Sequence, residues 1–388
     1  MAAALPYGRL SAFYLVFFAV LGVLGPYWGP YLKSLGYEAA QIGTLIGLLH
    51  ATKLIAPNLW GWVADRLGRR MGVIRFACVA AALGFAGVFV AEGFLAMAGV
   101  ILAFSFFWNA TLSQFEANTL SHLGAQSHRY PRIRLWGTVG FMVAVLAVGE
   151  GIDVLGAGIV PAVLLGLFIT LSGISLSVPE APANGGDRAG PGLWAVLRQP
   201  KVLGLFGACF LLQASHGPFY AFYSIYLQDA GYSGTAIGLL WAVALLAEIA
   251  VFLLMPRWLP RFGHRRLLII AMLLAVVRWV MVGLFPEQVP LQAFAQLFHA
   301  ATYGVYHAAA ISMVDRYFTG ALQGRGQALY SSLTFGAGVA VGSFLAGALW
   351  DVIGGASTFV LAAGLGLAAA LLAHHTLPRP GARALSGA

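Results

Sequence analysis

Apolar residues run along this chain in long unbroken blocks, without the alternation or the narrow stripe of a water-soluble protein. The blocks fall at 10–32, 39–63, 72–91, 94–120, 133–150 and 156–178, then resume at 202–227, 235–257, 266–285, 290–314, 326–350 and 356–376. Each has roughly the ~20 residues an α-helix needs to cross ~30 Å of hydrocarbon. They predict an all-α integral membrane protein with twelve transmembrane helices, its partner being the lipid bilayer. The first block is too long for a signal-peptide core and has no Ala-x-Ala cleavage pattern, so it is expected to remain as span one. Between the two sets of six, the run Pro179-Glu-Ala-Pro-Ala-Asn-Gly-Gly-Asp-Arg188 has the composition of a flexible linker. The expected organisation is therefore a six-helix bundle over 1–178, a linker over 179–199 and a second six-helix bundle over 200–388.

The two sets repeat in sequence. Tyr31-Leu-Lys-Ser-Leu-Gly36-Tyr37 with Ile42-Gly43 matches Tyr226-Leu-Gln-Asp-Ala-Gly231-Tyr232 with Ile237-Gly238, at an offset of 195. The same offset carries Leu67-Gly68-Arg69-Arg70 onto Phe262-Gly263-His264-Arg265. Asp153-Val-Leu-Gly156 returns as Asp351-Val-Ile-Gly354. Six spans per copy preserve orientation, so the copies are expected to be related by an axis along the membrane normal, with a site at their interface.

Composition agrees with this picture. Hydrophobic residues make up 60% of the 388 and charged residues 9%, too few charges to cover a water-facing surface, since soluble domains carry about 25%. The net charge of +9 comes from basic residues on one side of the spans. Arg9, Arg66, Arg69, Arg70, Arg129, Arg132, Arg188, Arg198, Lys201, Arg257, Arg261, Arg265, Arg266, Arg316, Arg325, Arg379 and Arg383 share that side, and Lys33 lies on the other. This asymmetry predicts cytoplasmic termini and a cytoplasmic linker, and removes any reason to invoke nucleic acid. Cys78 and Cys209 sit in apolar blocks and suggest neither disulfide nor metal; His299 and His307 have no Glu or Cys at ligand spacing. No phosphate-binding glycine loop is present, so no nucleotide cofactor is expected, and no catalytic constellation points to an enzyme. Nothing in the sequence calls for more than a monomer.

Five ionisable residues fall at membrane depth: Lys53, Glu116, Arg134, Glu248 and Arg278. Each costs about 2.5–3.5 kcal/mol at the bilayer centre, so they are expected to face the interior and pair. Three cations against two anions leave one positive charge that an anionic substrate could neutralise. Polar side chains at helical spacing suggest a cavity: Ser105, Asn109, Ser113 and Glu116 in span four; Gln213, His216, Tyr220 and Tyr223 in span seven; Gln292, Gln296, His299, Tyr303 and His307 in span ten. Trp241 shares nearly one face with Glu248 two turns later. Any single Tyr or His of this set is more often a packing residue; three stripes together favour a cavity. For Glu248 the plain alternative is a structural ion pair with Lys53 or Arg278.

Motifs then add a resemblance. The loop after span two, Gly61-Trp-Val-Ala-Asp65-Arg66-Leu-Gly68-Arg69-Arg70, resembles the Gly-x-x-x-Asp-Arg-x-Gly-Arg-Arg signature of the major facilitator superfamily. The resemblance implies a cytoplasmic gate in which the Asp caps a helix N-terminus and pairs with Arg. A topology signal would explain these arginines but neither Asp65 nor the two glycines. Glu116 and Arg134, with Arg132-Ile-Arg134-Leu-Trp-Gly137-Thr-Val-Gly140-Phe141, look like the sugar-binding pair of lactose permease. Glu248, Arg278 and His299 fall where that permease has a Glu, an Arg and a His. Phe141 stands in place of its ring-stacking Trp, and Thr302 in place of its proton-carrying carboxylate, so galactoside specificity is not implied.

A fuller likeness, over nearly the whole chain, is to the phenylpropionate-permease branch. It rests on the Arg132–Phe141 run, Gly25-Pro26-Tyr27, Asp315-Arg316-Tyr317 and Gln323-Gly-Arg-Gly-Gln327-Ala-Leu-Tyr330. It implies a bacterial-type inner-membrane proton symporter of aromatic acids. The expected substrate set is Lys53, Asn109, Glu116, Arg134, Phe141, His216, Tyr220, Tyr223, Trp241, His299 and Tyr303. The expected proton-coupling set is Glu248, Arg278, Glu116 and His299. A nucleoside or sugar symporter and a drug efflux pump are the alternatives on this scaffold.

Overall fold

The computed structural model describes residues 5–181 and 192–378. The linker residues 182–191, with Arg188, and the tail carrying Arg379 and Arg383 lie outside the described residues. Every described element is helical, as hydrocarbon requires of a backbone that must satisfy its own hydrogen bonds. The α-helices are α1 (Tyr7–Ser34), α2 (Ala39–Ala51), α3 (Ala56–Leu67), α4 (Arg70–Ala86), α5 (Gly93–Leu123), α6 (Tyr130–Leu155), α7 (Val160–Ser177) and α8 (Leu193–Leu197). They continue as α9 (Pro200–Ser215), α10 (Gly217–Asp229), α11 (Gly234–Phe262), α12 (His264–Leu284), α13 (Val289–Leu297), α14 (Tyr306–Tyr317), α15 (Gln323–Ser331) and α16 (Val339–Thr376).

Among the described residues, nine helical runs are long and apolar enough to cross a membrane. Two of them, Gly93–Leu155 and Gln323–Thr376, each hold two spans. The first divides at Gly124 (φ +50°), the second at Gly354 (φ +82°), left-handed positions that favour glycine. The run of α13 and α14 supplies the remaining span; its Gln, His and Tyr residues make it too polar to register as an apolar run. Leu83, Leu95, Leu176 and Leu253 lie exposed on outer helix faces, as lipid contact requires.

Two spans break where proline removes a donor. Pro57 cannot bond to the carbonyl four residues back, and span two gives way to a 3-10 turn at Thr52–Leu54. Pro218 does the same for span seven, which divides at His216. Span ten widens into a π turn at Ala300–Val305 and span eleven into another at Ser332–Gly338.

The chain forms two compact units. One holds the described residues of Met1–Gly185 together with Tyr220–Ala242; the other holds those of Gly186–Phe219 and Val243–Ala388. Glycines set the tightest helix contacts within each. In the first, a methyl group on Gly140 of α6 would meet the Leu15 carbonyl of α1. In the second, a methyl group on Gly342 of α16 would meet the Ala214 carbonyl of α9. The repeat thus reuses one packing device, which places Gly338 and Gly342 in intramolecular contacts.

Candidate functional site

In the first unit, the break in span two shapes the polar interior. The Leu49 carbonyl, released near the break, accepts from Asn109 Nδ2 at 3.0 Å, and the same amide lies 2.8 Å from Thr52 Oγ1. Thr52 in turn is 3.0 Å from Ser105. Asn109 and Ser105, read from the sequence as cavity polar groups, therefore hold the broken helix open. The break turns Lys53 toward His50, whose Nδ1 accepts from Nζ at 3.3 Å. His50 lies 5.8 Å from Tyr220. His50 was not read as a site residue, though it stands one helical turn before Lys53.

Glu116 and Arg134 lie within electrostatic reach of each other, but no direct contact within 4.0 Å joins them. Glu116 Oε1 accepts from the Tyr130 hydroxyl at 3.1 Å. The Arg134 guanidinium lies 3.7 Å over the Phe18 ring and 5.8 Å from Tyr14. Gly137 makes this possible, because a Cβ there would lie 2.7 Å from both Arg134 Nη1 and Phe18 Cδ2. Tyr14 stands edge-on to Tyr130. Arg134 is half-buried, and among the described residues no carboxylate lies within 4.0 Å of it. Further along α6, Phe141 lies 6.4 Å from Trp241, which lies 6.3 Å from Tyr223 and reaches Ser224 through its indole nitrogen at 3.3 Å.

The second unit gathers the other predicted charges. Arg278 is completely buried. Its Nη1 reaches His299 Nδ1 at 3.1 Å and Thr302 Oγ1 at 3.0 Å, and its Nη2 donates to Gln296 at 3.0 Å. The guanidinium also faces Phe219 at 4.4 Å. A guanidinium only donates, so His299 Nδ1 is an acceptor and the ring proton sits on Nε2. That nitrogen lies 3.4 Å from Glu248 Oε2. His299 thus stands between Glu248 and Arg278. Thr302, at the position of the missing carboxylate, is a ligand of Arg278. His299 and Tyr303 stack at 5.4 Å. His216 is completely buried, its Nδ1 2.8 Å from the Leu212 carbonyl and its ring edge-on to Trp279. It stands at the break in span seven.

At the end rich in basic residues, the Gly61–Arg70 motif closes a turn. Gly68 takes a left-handed conformation (φ +64°) and ends α3. Asp65 lies 3.6 Å from Arg70, and Arg66 covers Trp62 at 4.5 Å. Arg69 is the N-cap residue of α4 without a capping side chain. Gly61 leaves room for Gln114 of α5. The carboxylate that reaches the α4 N-terminus is Glu180, which accepts from Met71 N at 2.9 Å, rather than Asp65. Arg75, also unread in the sequence, donates to the carbonyls of Ser175 and Val178. Asp315 and Gln327, from two separate motif pieces, join at 2.7 Å.

The MFS_1 like family matches residues 7–361. This chain belongs to that family. It is a secondary transporter of the major facilitator superfamily and not an enzyme. The facilitator is 31% identical to the probable 3-phenylpropionic acid transporter of Escherichia coli K12, over 91% of this chain and 93% of that one. It is 28% identical to the maltose permease of Geobacillus stearothermophilus, over 69% and 68% of the two chains. The crystal structure of the nucleoside transporter NupG superposes with a TM-score of 0.83 at 19% identity, covering 96% of the facilitator and 99% of that chain. At that identity the match concerns the fold.

Proposed function

We propose that this facilitator is a proton-coupled symporter of small aromatic carboxylates. It works as a monomer in a bacterial inner membrane, with both termini cytoplasmic. Transport proceeds by alternating access between the six-span halves 1–178 and 200–388, joined by the linker 179–199. Asp65, Arg66, Arg69 and the glycines Gly61 and Gly68 form the cytoplasmic gate.

Arg134 is the observation that carries the reading. A half-buried guanidinium at membrane depth, stacked on Phe18 and with Glu116 near but in no direct contact, is suited to a substrate carboxylate. Phe141, Trp241, Tyr223 and Tyr220 offer ring faces for the apolar body, and Lys53 a second cation. Similarity to a probable 3-phenylpropionic acid transporter supports the same substrate class. Coupling follows from Glu248. While ionised it holds the Nε2 proton of His299; once protonated it loosens that hold and alters the hydrogen bonds around Arg278.

Purified protein is expected to gain thermal stability with 3-phenylpropionate, and not with uridine or lactose. Arg134→Gln should weaken that binding about 10–100-fold, the ~1.5–3 kcal/mol of a hydrogen bond to a charged group. Stabilisation by uridine alone would replace the substrate class proposed here.

A further inference from the structure

Span ten carries a second histidine. On a regular α-helix, residues four apart fall about 40° out of line, so His299 and His307 would diverge by about 80°. The π turn at Ala300–Val305 is wider and takes up that drift. His299 stacks on Tyr303 at 5.4 Å with planes 8° apart, and Tyr303 on His307 at 6.1 Å and 19°. The π turn of span eleven sets Phe335 against both Tyr303, at 5.8 Å, and His307, at 5.5 Å. The two histidines thus line one track.

Glu248 faces this track between them. It contacts His299 at 3.4 Å, and His307 lies within its electrostatic reach. Gly304 clears the space: a Cβ there would lie 3.4 Å from Glu248 Cγ. His307 Nδ1 is 3.1 Å from the Tyr330 hydroxyl. Behind Tyr330 lie Tyr306 and Cys209, and the Tyr306 hydroxyl, fully buried, faces Tyr330 and the buried amide of Gln213. Buried polar groups of this kind are the ones internal water satisfies. The titratable groups that face His307 are Glu248 on α11, Tyr303 on its own span and Tyr330 on α15, with Tyr306 and Cys209 behind Tyr330 and with His299 and Arg278 at the far end of the track. His264 of α12, 2.8 Å from Ser312, lies beyond.

We propose that His307, with Tyr330, is the proton's second station: Glu248 takes the proton on the His299 side and passes it to His307 for release toward the basic-rich end. One proton moves from the Glu248 carboxyl to a ring nitrogen of His307. The ring then gives up a proton to the Tyr330 hydroxyl as that hydroxyl passes its own proton to water of the aqueous phase at the basic-rich end, and no other bond changes. The inference rests on the symport reading above.

The test uses the full-length protein in liposomes, with labelled 3-phenylpropionate and an acidic exterior. Net uptake needs proton release on every cycle; exchange at equal pH does not. His307→Asn should lower net uptake by about tenfold or more beyond any loss of exchange. Tyr330→Phe should move the same ratio in the same direction. If uptake and exchange fall together, or neither falls, His307 is not a proton station. His307→Gln, checked for an unchanged melting temperature, separates this from misfolding. Wild-type uptake that ignores the pH gradient would overturn the symport reading and this inference with it, and that outcome is visible without any variant.

Discussion

Arg278 shows what one buried charge demands of its neighbours. Hydrogen bonds run from it to His299, Thr302 and Gln296, and the rings of Phe219 and Trp279 face its plane. None of those three partners is negative, and the imidazole of His299 in turn contacts Glu248. Glu248→Gln keeps the shape of the side chain and removes the titration. Net uptake driven by a pH gradient should be lost in this variant, while exchange at equal pH persists. Full pH-driven accumulation would remove Glu248 from the coupling mechanism.

Elements in this protein are joined through missing side chains. A methyl group on Gly140 would overlap the Leu15 carbonyl, and one on Gly342 the Ala214 carbonyl. Gly166, in contrast, has open space around its Cβ position. Gly140→Ala and Gly342→Ala should each lower stability by about 1–3 kcal/mol or more through overpacking. Gly166→Ala should be neutral or slightly stabilising, as an Ala in a helix interior is. Melting temperatures in detergent would rank the three. A destabilised Gly166→Ala beside an unaffected Gly140→Ala would contradict the packing described here.

Across the whole molecule, the division into units differs from the division by repeat. Residues 220–242 are the sequence copy of 25–47, yet they pack with the first unit. Asp153 of α6 accepts from the backbone of Gly234 at 2.6 Å and of Thr235 at 2.9 Å, and from the Thr235 hydroxyl at 2.7 Å, capping α11. Tyr27 reaches the carbonyls of Val145 and Gly234. Lys33, the lone basic residue of its side, pairs with Asp229 at 2.5 Å. That pair is half-exposed and contributes little; a capping carboxylate contributes about 0.5–2 kcal/mol. Asp153→Ala should therefore release the segment, read as faster amide hydrogen exchange over 234–242. Unchanged exchange would leave the apolar contacts alone holding it.

The all-helical membrane architecture was legible before any coordinates, because length and hydrophobicity of a span are local properties. The family was legible too, since Asp65, Gly68 and the Arg132–Phe141 run are contiguous motifs. The charged residues of the interior could be named because hydrocarbon tolerates so few of them. Their partners could not. Which group stands between Glu248 and Arg278 depends on how α11, α12 and span ten come together, and the stacking of Arg134 on Phe18 depends on how α1 and α6 do. Asn109 and His216 have the spacing of cavity residues; that they also bond to the backbone carbonyls of Leu49 and Leu212 beside two helix breaks was not legible in that spacing. The alignment of His299, Tyr303 and His307 needed a π turn, a backbone choice set by packing against Phe335 and Arg278. Sequence alone determined what must cross the membrane and which charges it carries; the tertiary structure decided which of them meet.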